Sequence, residues 1–243
     1  MIEELLPESV AAAEAFDDPA DAYLFPAEEA LLANAVEKRR REFATARHLA
    51  RRAMAEFGIA PIPLLPGPNR EPCWPPGVVG SITHCTGYRA AVVARGRDLA
   101  TVGIDAEPNE PLPNGVLETI ALPQERDWIG ELLTTDPGVR WDRLLFTLKE
   151  SVYKAWFPLA RRWLGFEDAL ITVDVQQATF TARLLVPGPP LPGGGTLTGF
   201  TGRWLARSDL LLAAITLPAV CPAEPLPTTI GVPRQPTRSC TFG

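Results

Sequence analysis

Two acidic motifs hold the side chains best suited to chemistry. Asp105-Ala106-Glu107 closes an apolar run, and Lys149-Glu150-Ser151-Val152-Tyr153-Lys154 sits in a helical pattern. Three carboxylates and two ammonium groups can hold a divalent cation against a pyrophosphate and activate a hydroxyl nucleophile. Asp105 and Glu107 are two apart in a predicted strand, so their carboxylates face one side and can meet on one hard cation. Taken alone, an Asp-x-Glu is as well explained by two solvated charges at a strand end. On the predicted helix, Arg143, Thr147, Glu150 and Lys154 form a polar stripe, and Glu150 and Lys154 make a favourable i,i+4 pair. That stripe by itself also suits an ordinary solvated face.

Two further groups could meet an anion. Arg39, Arg40, Arg41, Arg47, Arg51 and Arg52 make one helical segment the most basic part of an acidic protein. Guanidinium forks match phosphate oxygens, although a basic face can also be merely solvated. His84 falls in a predicted turn beside Ser81, Thr83 and Gly87, where an imidazole, a hydroxyl and backbone N–H groups could meet a phosphate. A lone histidine can equally be structural. Gly80-Ser81-Ile82-Thr83 is not a nucleophile elbow, and the chain has no Gly-x-x-x-x-Gly-Lys-Ser/Thr loop.

These groups need elements to position them. An apolar stripe from Leu32 to Phe57 predicts a helix over 27–57, stopped by Gly58. Seven prolines between Pro61 and Pro76 dictate an extended loop. Strands are predicted at 78–83, 88–94 and 100–106. Pro108, Pro111 and Pro113 with Asn114-Gly115 mark a link. Helices follow at 116–120, 124–133 and 141–156, the last ended by Pro158. Strands follow at 170–175, 179–185, 197–205 and 210–217. Residues 1–26 show no firm period, and residues 218–243 read as a disordered tail. The expected organisation is an N-terminal half at 1–107, a C-terminal half at 108–217, and the tail. Both halves run from helices to strands, which hints at a structural repeat.

Composition bounds the function. A chain of 243 residues with 46% hydrophobic and 21% charged residues can build a real core. The formal charge of −6 argues against general nucleic-acid binding but permits a local basic pocket. No stretch reaches the roughly 20 apolar residues of a membrane span. Met1-Ile2-Glu3-Glu4 lacks an apolar signal region, so a cytoplasmic location is expected. Cys73, Cys85, Cys221 and Cys240 match no zinc spacing and are expected to be reduced.

In this order and wording, three blocks are more specific than their parts. Gly80-Ser81-Ile82-Thr83-His84-Cys85-Thr86-Gly87-Tyr88, Val102-Gly103-Ile104-Asp105-Ala106-Glu107-Pro108, and Phe146 through Trp156 closely resemble the motifs of the Sfp-type 4′-phosphopantetheinyl transferases. Glu71-Pro72-Cys73-Trp74-Pro75 and Arg162 through Ala169 resemble the branch with enterobactin-type and actinobacterial secondary-metabolism enzymes. The resemblance spans about 38–217.

It implies an α+β fold of two similar α/β halves related by a pseudo-twofold, with coenzyme A between them. The implied reaction moves 4′-phosphopantetheine from coenzyme A to a serine of an apo carrier protein and releases adenosine 3′,5′-bisphosphate. Asp105, Glu107 and Glu150 would ligate Mg2+, and Glu150 would also take the serine proton. Lys154 would neutralise the pyrophosphate, with Lys149 assisting. Thr83 and His84 would hold phosphates of coenzyme A, and Arg39 and Arg47 would lie near the 3′-phosphate. Phe146, Tyr153, Trp163 and Leu164 would line the pantetheine channel and the carrier-facing lip.

Implied partners are carrier proteins or domains of polyketide, fatty-acid or non-ribosomal peptide synthases, met by a monomer through Arg161-Arg162, Trp163, Leu164 and Phe166. One departure is Leu64-Leu65-Pro66-Gly67, where close relatives often carry a lysine; Arg70 could replace it. A metal-dependent phosphohydrolase could use the same carboxylates, and a carrier-binding protein without turnover could keep the cleft.

Overall fold

The computed structural model describes residues 1–191 and 194–219. The predicted tail lies outside the described residues from 220 onward. Pro218 belongs to the last strand, and the Ala219 amide donates to Asp98 O. Among the described residues there are five α-helices and eight strands, the mixed class expected.

The predicted helix over 27–57 is two helices, α1 (Pro26–Ala30) and α2 (Glu37–Ala55). The apolar stripe continues across the gap, but Val36 is extended and interrupts the helical backbone. α2 turns Leu49, Ala50, Ala53 and Met54 onto a three-stranded antiparallel sheet. That sheet runs β1 (Val10–Ala15), β3 (Tyr88–Arg95), β2 (Val78–Cys85). β1 was not foreseen. Its sequence, Val-Ala-Ala-Ala-Glu-Ala, has helix-forming composition and no alternation, so pairing with β3 decides its state.

β3 is buried on both faces, as its near-continuous apolar sequence requires. Ala91 and Val93 meet α2, while Tyr88, Ala90, Val92 and Ala94 meet a second cluster. That cluster contains Val102, Ile104 and Ala106 of β4 (Leu99–Pro108). β4 lies beside β2 without pairing with it and hydrogen-bonds to β8 (Leu210–Pro218). The five-stranded antiparallel sheet is ordered β4-β8-β7-β6-β5, with β5 Ala169–Asp174, β6 Thr179–Leu184 and β7 Gly199–Arg207.

α3 (Val116–Ile120) and α4 (Pro123–Thr135) lead into α5 (Trp141–Ala160), which packs its apolar face on this sheet. α5 continues through Pro158, where a stop was predicted. A proline in the last turn sacrifices one intrahelical bond, and burial of Trp156 and Phe157 holds the turn. Arg161, in the left-handed region at φ 52°, ends it. A long helix followed by antiparallel strands thus occurs twice, with sheets of three and five strands.

Candidate active site

β4 presents alternate faces to two layers. Val102, Ile104 and Ala106 enter the core shared with β3, whereas Thr101, Gly103 and Asp105 face α5. The close approach of α5 depends on Gly103. A Cβ there would lie 2.6 Å from Ala155 N and would also overlap Ser151 O. Thr101 Oγ1 donates to Ala155 O at 2.9 Å and ties the same turn of α5 to the strand.

Two cross-layer ion pairs follow. Lys154 Nζ lies 2.7 Å from Asp105 Oδ1, and Arg143 Nη1 lies 3.0 Å from Glu107 Oε2. Arg143 belongs to the predicted polar stripe, and nothing in its spacing singles it out as a site residue. Its guanidinium also donates to Glu110 O and Pro111 O, locking the end of β4. Glu150 lies between these pairs along the helix and lines the cleft with Asp105, Glu107 and Lys154. Burial raises the Glu150 pKa, Asp105 and Glu107 add to this, and Lys154 opposes it. Burial likewise raises the Glu107 pKa, reinforced by Asp105 and opposed by Arg143 and Lys154.

The Asp105 side chain is supported from β2. Thr83 Oγ1 donates to Asp105 Oδ1 at 3.0 Å and accepts from Ala106 N at 3.1 Å. Two residues earlier, Ser81 Oγ accepts from Ile104 N at 3.1 Å. Buried hydroxyls therefore bridge the sheets where backbone pairing does not. Thr83 lines the cleft as well, and its hydroxyl is committed to β4.

Together these elements enclose a cleft of about 750 Å³. One wall comes from α2, the proline-rich loop and β2, and the other from β4 and α5. Arg39 Nη1 lies 3.1 Å from His84 Nε2 at this opening. His84 is exposed at the cleft mouth; its partial desolvation there lowers its pKa, with Arg39 and Lys154 adding to the effect and Glu42 opposing it.

Arg47 also lines the cleft, but it is buried. Its guanidinium stacks on Phe43 at 3.6 Å and Nε donates to Leu64 O, and burial lowers its pKa to about 10. Arg51 does not join this wall, being held in a buried pair with Glu28 at 2.9 Å. Arg70 and Glu71 reach the cleft from the loop, and Arg161 from α5, with Arg161 and Glu71 3.7 Å apart. Arg161 thus lines the cleft and is exposed, as are Arg162, whose guanidinium donates to Pro187 O, and Trp163.

Phe146 and Tyr153 line the cleft. A second hollow of about 80 Å³ lies behind, between Glu150, Val152 and Tyr153 of α5 and the segment Trp163–Phe166. Trp163 is 72% exposed, with its ring 4.9 Å from that of Tyr153. Leu164 is buried and offers little to a partner.

Lys149 departs most from expectation. Adjacent helix residues point about 100° apart, and Lys149 turns away from the cleft. Its ammonium lies 2.8 Å from Glu125 Oε2 and donates to Phe166 O at 2.6 Å and Ala169 O at 3.2 Å.

Among the described residues, no three His, Cys, Asp or Glu side chains converge as a metal site. Lys154 and Arg143 pair with Asp105 and Glu107 instead. The donor set still suits a hard divalent cation: Asp105 Oδ2 is buried without a hydrogen-bond partner, and Glu107 and Glu150 are both strained by the Asp105 charge.

Residues 27–94 match the family model of the 4′-phosphopantetheinyl transferase N-terminal domain, and residues 101–190 match that of the 4′-phosphopantetheinyl transferase superfamily. The chain is 53% identical over 222 residues to 4′-phosphopantetheinyl transferase Svp of Streptomyces mobaraensis, covering 90% of each chain. It is 50% identical over 222 residues to 4′-phosphopantetheinyl transferase Npt of Nocardia iowensis, covering 88% of this chain and 99% of that one. Similarity to enterobactin synthase component D of Salmonella typhimurium is lower, 35% over 143 residues and 58% of each chain.

Proposed function

Since the chain belongs to the 4′-phosphopantetheinyl transferase superfamily, we propose how its own residues carry out that family's reaction. The enzyme transfers 4′-phosphopantetheine from coenzyme A to a serine of an apo carrier protein and releases adenosine 3′,5′-bisphosphate. Convergence of Asp105, Glu107, Glu150 and Lys154 on one cleft, with Arg39 and His84 on its opposite wall, is the observation that carries the assignment of roles.

In this reading, the nucleotide lies along α2 and β2. Arg39 and His84 meet its phosphates, while Arg47, already stacked on Phe43, shapes the floor. Phe146 and Tyr153 flank the pantetheine arm, and Trp163 forms the outer lip. Glu150 takes the proton from the carrier serine. The serine oxygen forms a bond to the phosphorus bearing the pantetheine arm, and the bond from that phosphorus to the bridging oxygen breaks. Lys154 neutralises charge on the departing bisphosphate. A burial-raised carboxylate is a better base than an ordinary one at working pH. Fixed positive groups in a partly enclosed cleft supply most of the remaining stabilisation. Asp105, Glu107 and Glu150 would hold Mg2+, which would supply charge neutralisation at the pyrophosphate.

Thr83 contributes by orienting Asp105. Arg70 is available to the nucleotide where Pro66 stands in place of the relatives' lysine. The halves 1–107 and 108–217 each supply one side of this cleft, except that β4 joins the second sheet. One chain holds every protein group invoked, which supports a monomer; in this reading it acts in the cytoplasm on carriers of polyketide, fatty-acid or non-ribosomal peptide synthases. Among the described residues no helix is long and apolar enough to cross a membrane.

Intact-mass measurement of an apo carrier incubated with the enzyme, coenzyme A and Mg2+ tests the reading. One phosphopantetheine should be gained, and the gain should vanish with EDTA or with the carrier serine changed to Ala. Magnesium-dependent loss of coenzyme A without carrier modification would instead indicate a phosphohydrolase.

A further inference from the structure

Lys149 is next to Glu150 in sequence and 4% exposed. An ammonium has three N–H donors. Here they meet three acceptors: Glu125 Oε2, Phe166 O and Ala169 O. None remains for a phosphate in the cleft. Glu125 is equally committed. It is fully buried at the start of α4, where Oε2 also accepts from Leu122 N at 2.7 Å and Oε1 accepts from Ile171 N of β5 at 2.7 Å. One buried ion pair thus joins α4, α5, β5 and the chain between α5 and β5.

That intervening chain is functional in position. It begins at the left-handed Arg161 and passes through Trp163, Leu164 and Gly165 to the 3-10 turn Phe166–Asp168. It walls the small hollow opposite Glu150, Val152 and Tyr153. The two carbonyls gripped by Lys149 bracket that 3-10 turn, so the clamp sets the distance between this wall and α5. Burial lowers the Lys149 pKa while Glu125 opposes that shift, consistent with a charge retained by its partner.

We propose that Lys149 is a positioning residue whose pair with Glu125 pins residues 161–169 against α5, thereby placing the Tyr153–Trp163 wall where the carrier meets Glu150. The inference rests on the transferase reading above.

The test varies coenzyme A and carrier separately for Lys149→Met, Glu125→Gln and the double variant, with coenzyme A affinity measured by calorimetry and folding by thermal melting. The double variant removes both buried charges and covers the case in which Lys149→Met strands Glu125 and fails to fold. The expected result is a carrier KM raised tenfold or more in each folded variant, with the coenzyme A Kd within twofold of the parent. Glu125→Gln is decisive, because Glu125 does not line the cleft. The inference is overturned if Lys149→Met weakens coenzyme A tenfold while Glu125→Gln leaves it unchanged. It is also overturned if folded variants keep the parental carrier KM, or if all three variants unfold, which would make the pair purely structural. A parent enzyme that modifies no carrier defeats the transferase reading itself, before any variant is compared.

Discussion

At the scale of single residues, the site concentrates like charge and compensates it incompletely. Three carboxylates face two cations, Lys154 and Arg143, and one oxygen of Asp105 is buried without a partner. Replacing Glu150 by Gln should lower transfer by about 100-fold or more, the usual contribution of a positioned base, while circular dichroism finds the fold intact. The raised pKa values of Glu107 and Glu150 also set a sign for stability. In EDTA, the folded chain binds these protons more tightly than the unfolded chain. Stability is therefore fully present below the ordinary glutamate value of 4.5 and is lost as pH rises through the raised values. Denaturant titrations across that window should show the decline, and Glu150→Gln should reduce it. Added Mg2+ should restore stability most at the upper end of the window, where the carboxylates are ionised.

At the scale of elements, the site depends on two close approaches. β2 reaches β4 through Ser81 and Thr83, and α5 reaches β4 over Gly103. Thr83→Val removes a donor to Asp105 and an acceptor for Ala106 N. An unsatisfied buried group costs about 1–3 kcal/mol, so urea unfolding should show a loss of that order, and kcat should fall more than coenzyme A affinity. Gly103→Ala should destabilise by about 1–3 kcal/mol through overpacking. It should also lower kcat by pushing Glu150 and Lys154 away from Asp105 and Glu107. Unchanged kcat in a destabilised Gly103→Ala protein would show that this spacing is not critical to catalysis. The polar stripe on α5 and the shared face of Asp105 and Glu107 were legible in sequence, because helix and strand periods are local. The hydroxyl bridges were not, because nothing local says which neighbour a buried threonine meets.

At the scale of the whole molecule, the halves do not close separately. β4, before the proline-rich link, forms an edge of the five-stranded sheet, and the cleft opens where it passes β2. A ligand filling the cleft touches both walls and should stabilise the whole chain. Coenzyme A at about 100 times its Kd should add about 2.7 kcal/mol, visible as a higher Tm. Arg39 is exposed and, among the described residues, paired only with His84, so Arg39→Ala should leave Tm of the free protein unchanged while weakening coenzyme A by about 10- to 100-fold, the worth of a charged hydrogen bond. That loss should shrink with dephospho-coenzyme A if Arg39 meets the 3′-phosphate. Arg47→Ala should lower Tm as well, because Arg47 packs on Phe43.

The order of helices and strands, the acid motifs and the family resemblance are all present in the chain itself, because period, proline and motif spacing are properties of neighbours along it. Tertiary structure decided the rest. β1 became a strand because β3 offered it an edge. The apolar period continued past Val36, but the backbone did not. Thr83 and Lys149 belong to the motifs, yet their polar atoms are taken by partners far along the chain: those of Thr83 lie 22 and 23 residues away, and those of Lys149 lie 17 to 24 residues away. A side chain's type and spacing say what it can bind, whereas the fold determines which partner reaches it first.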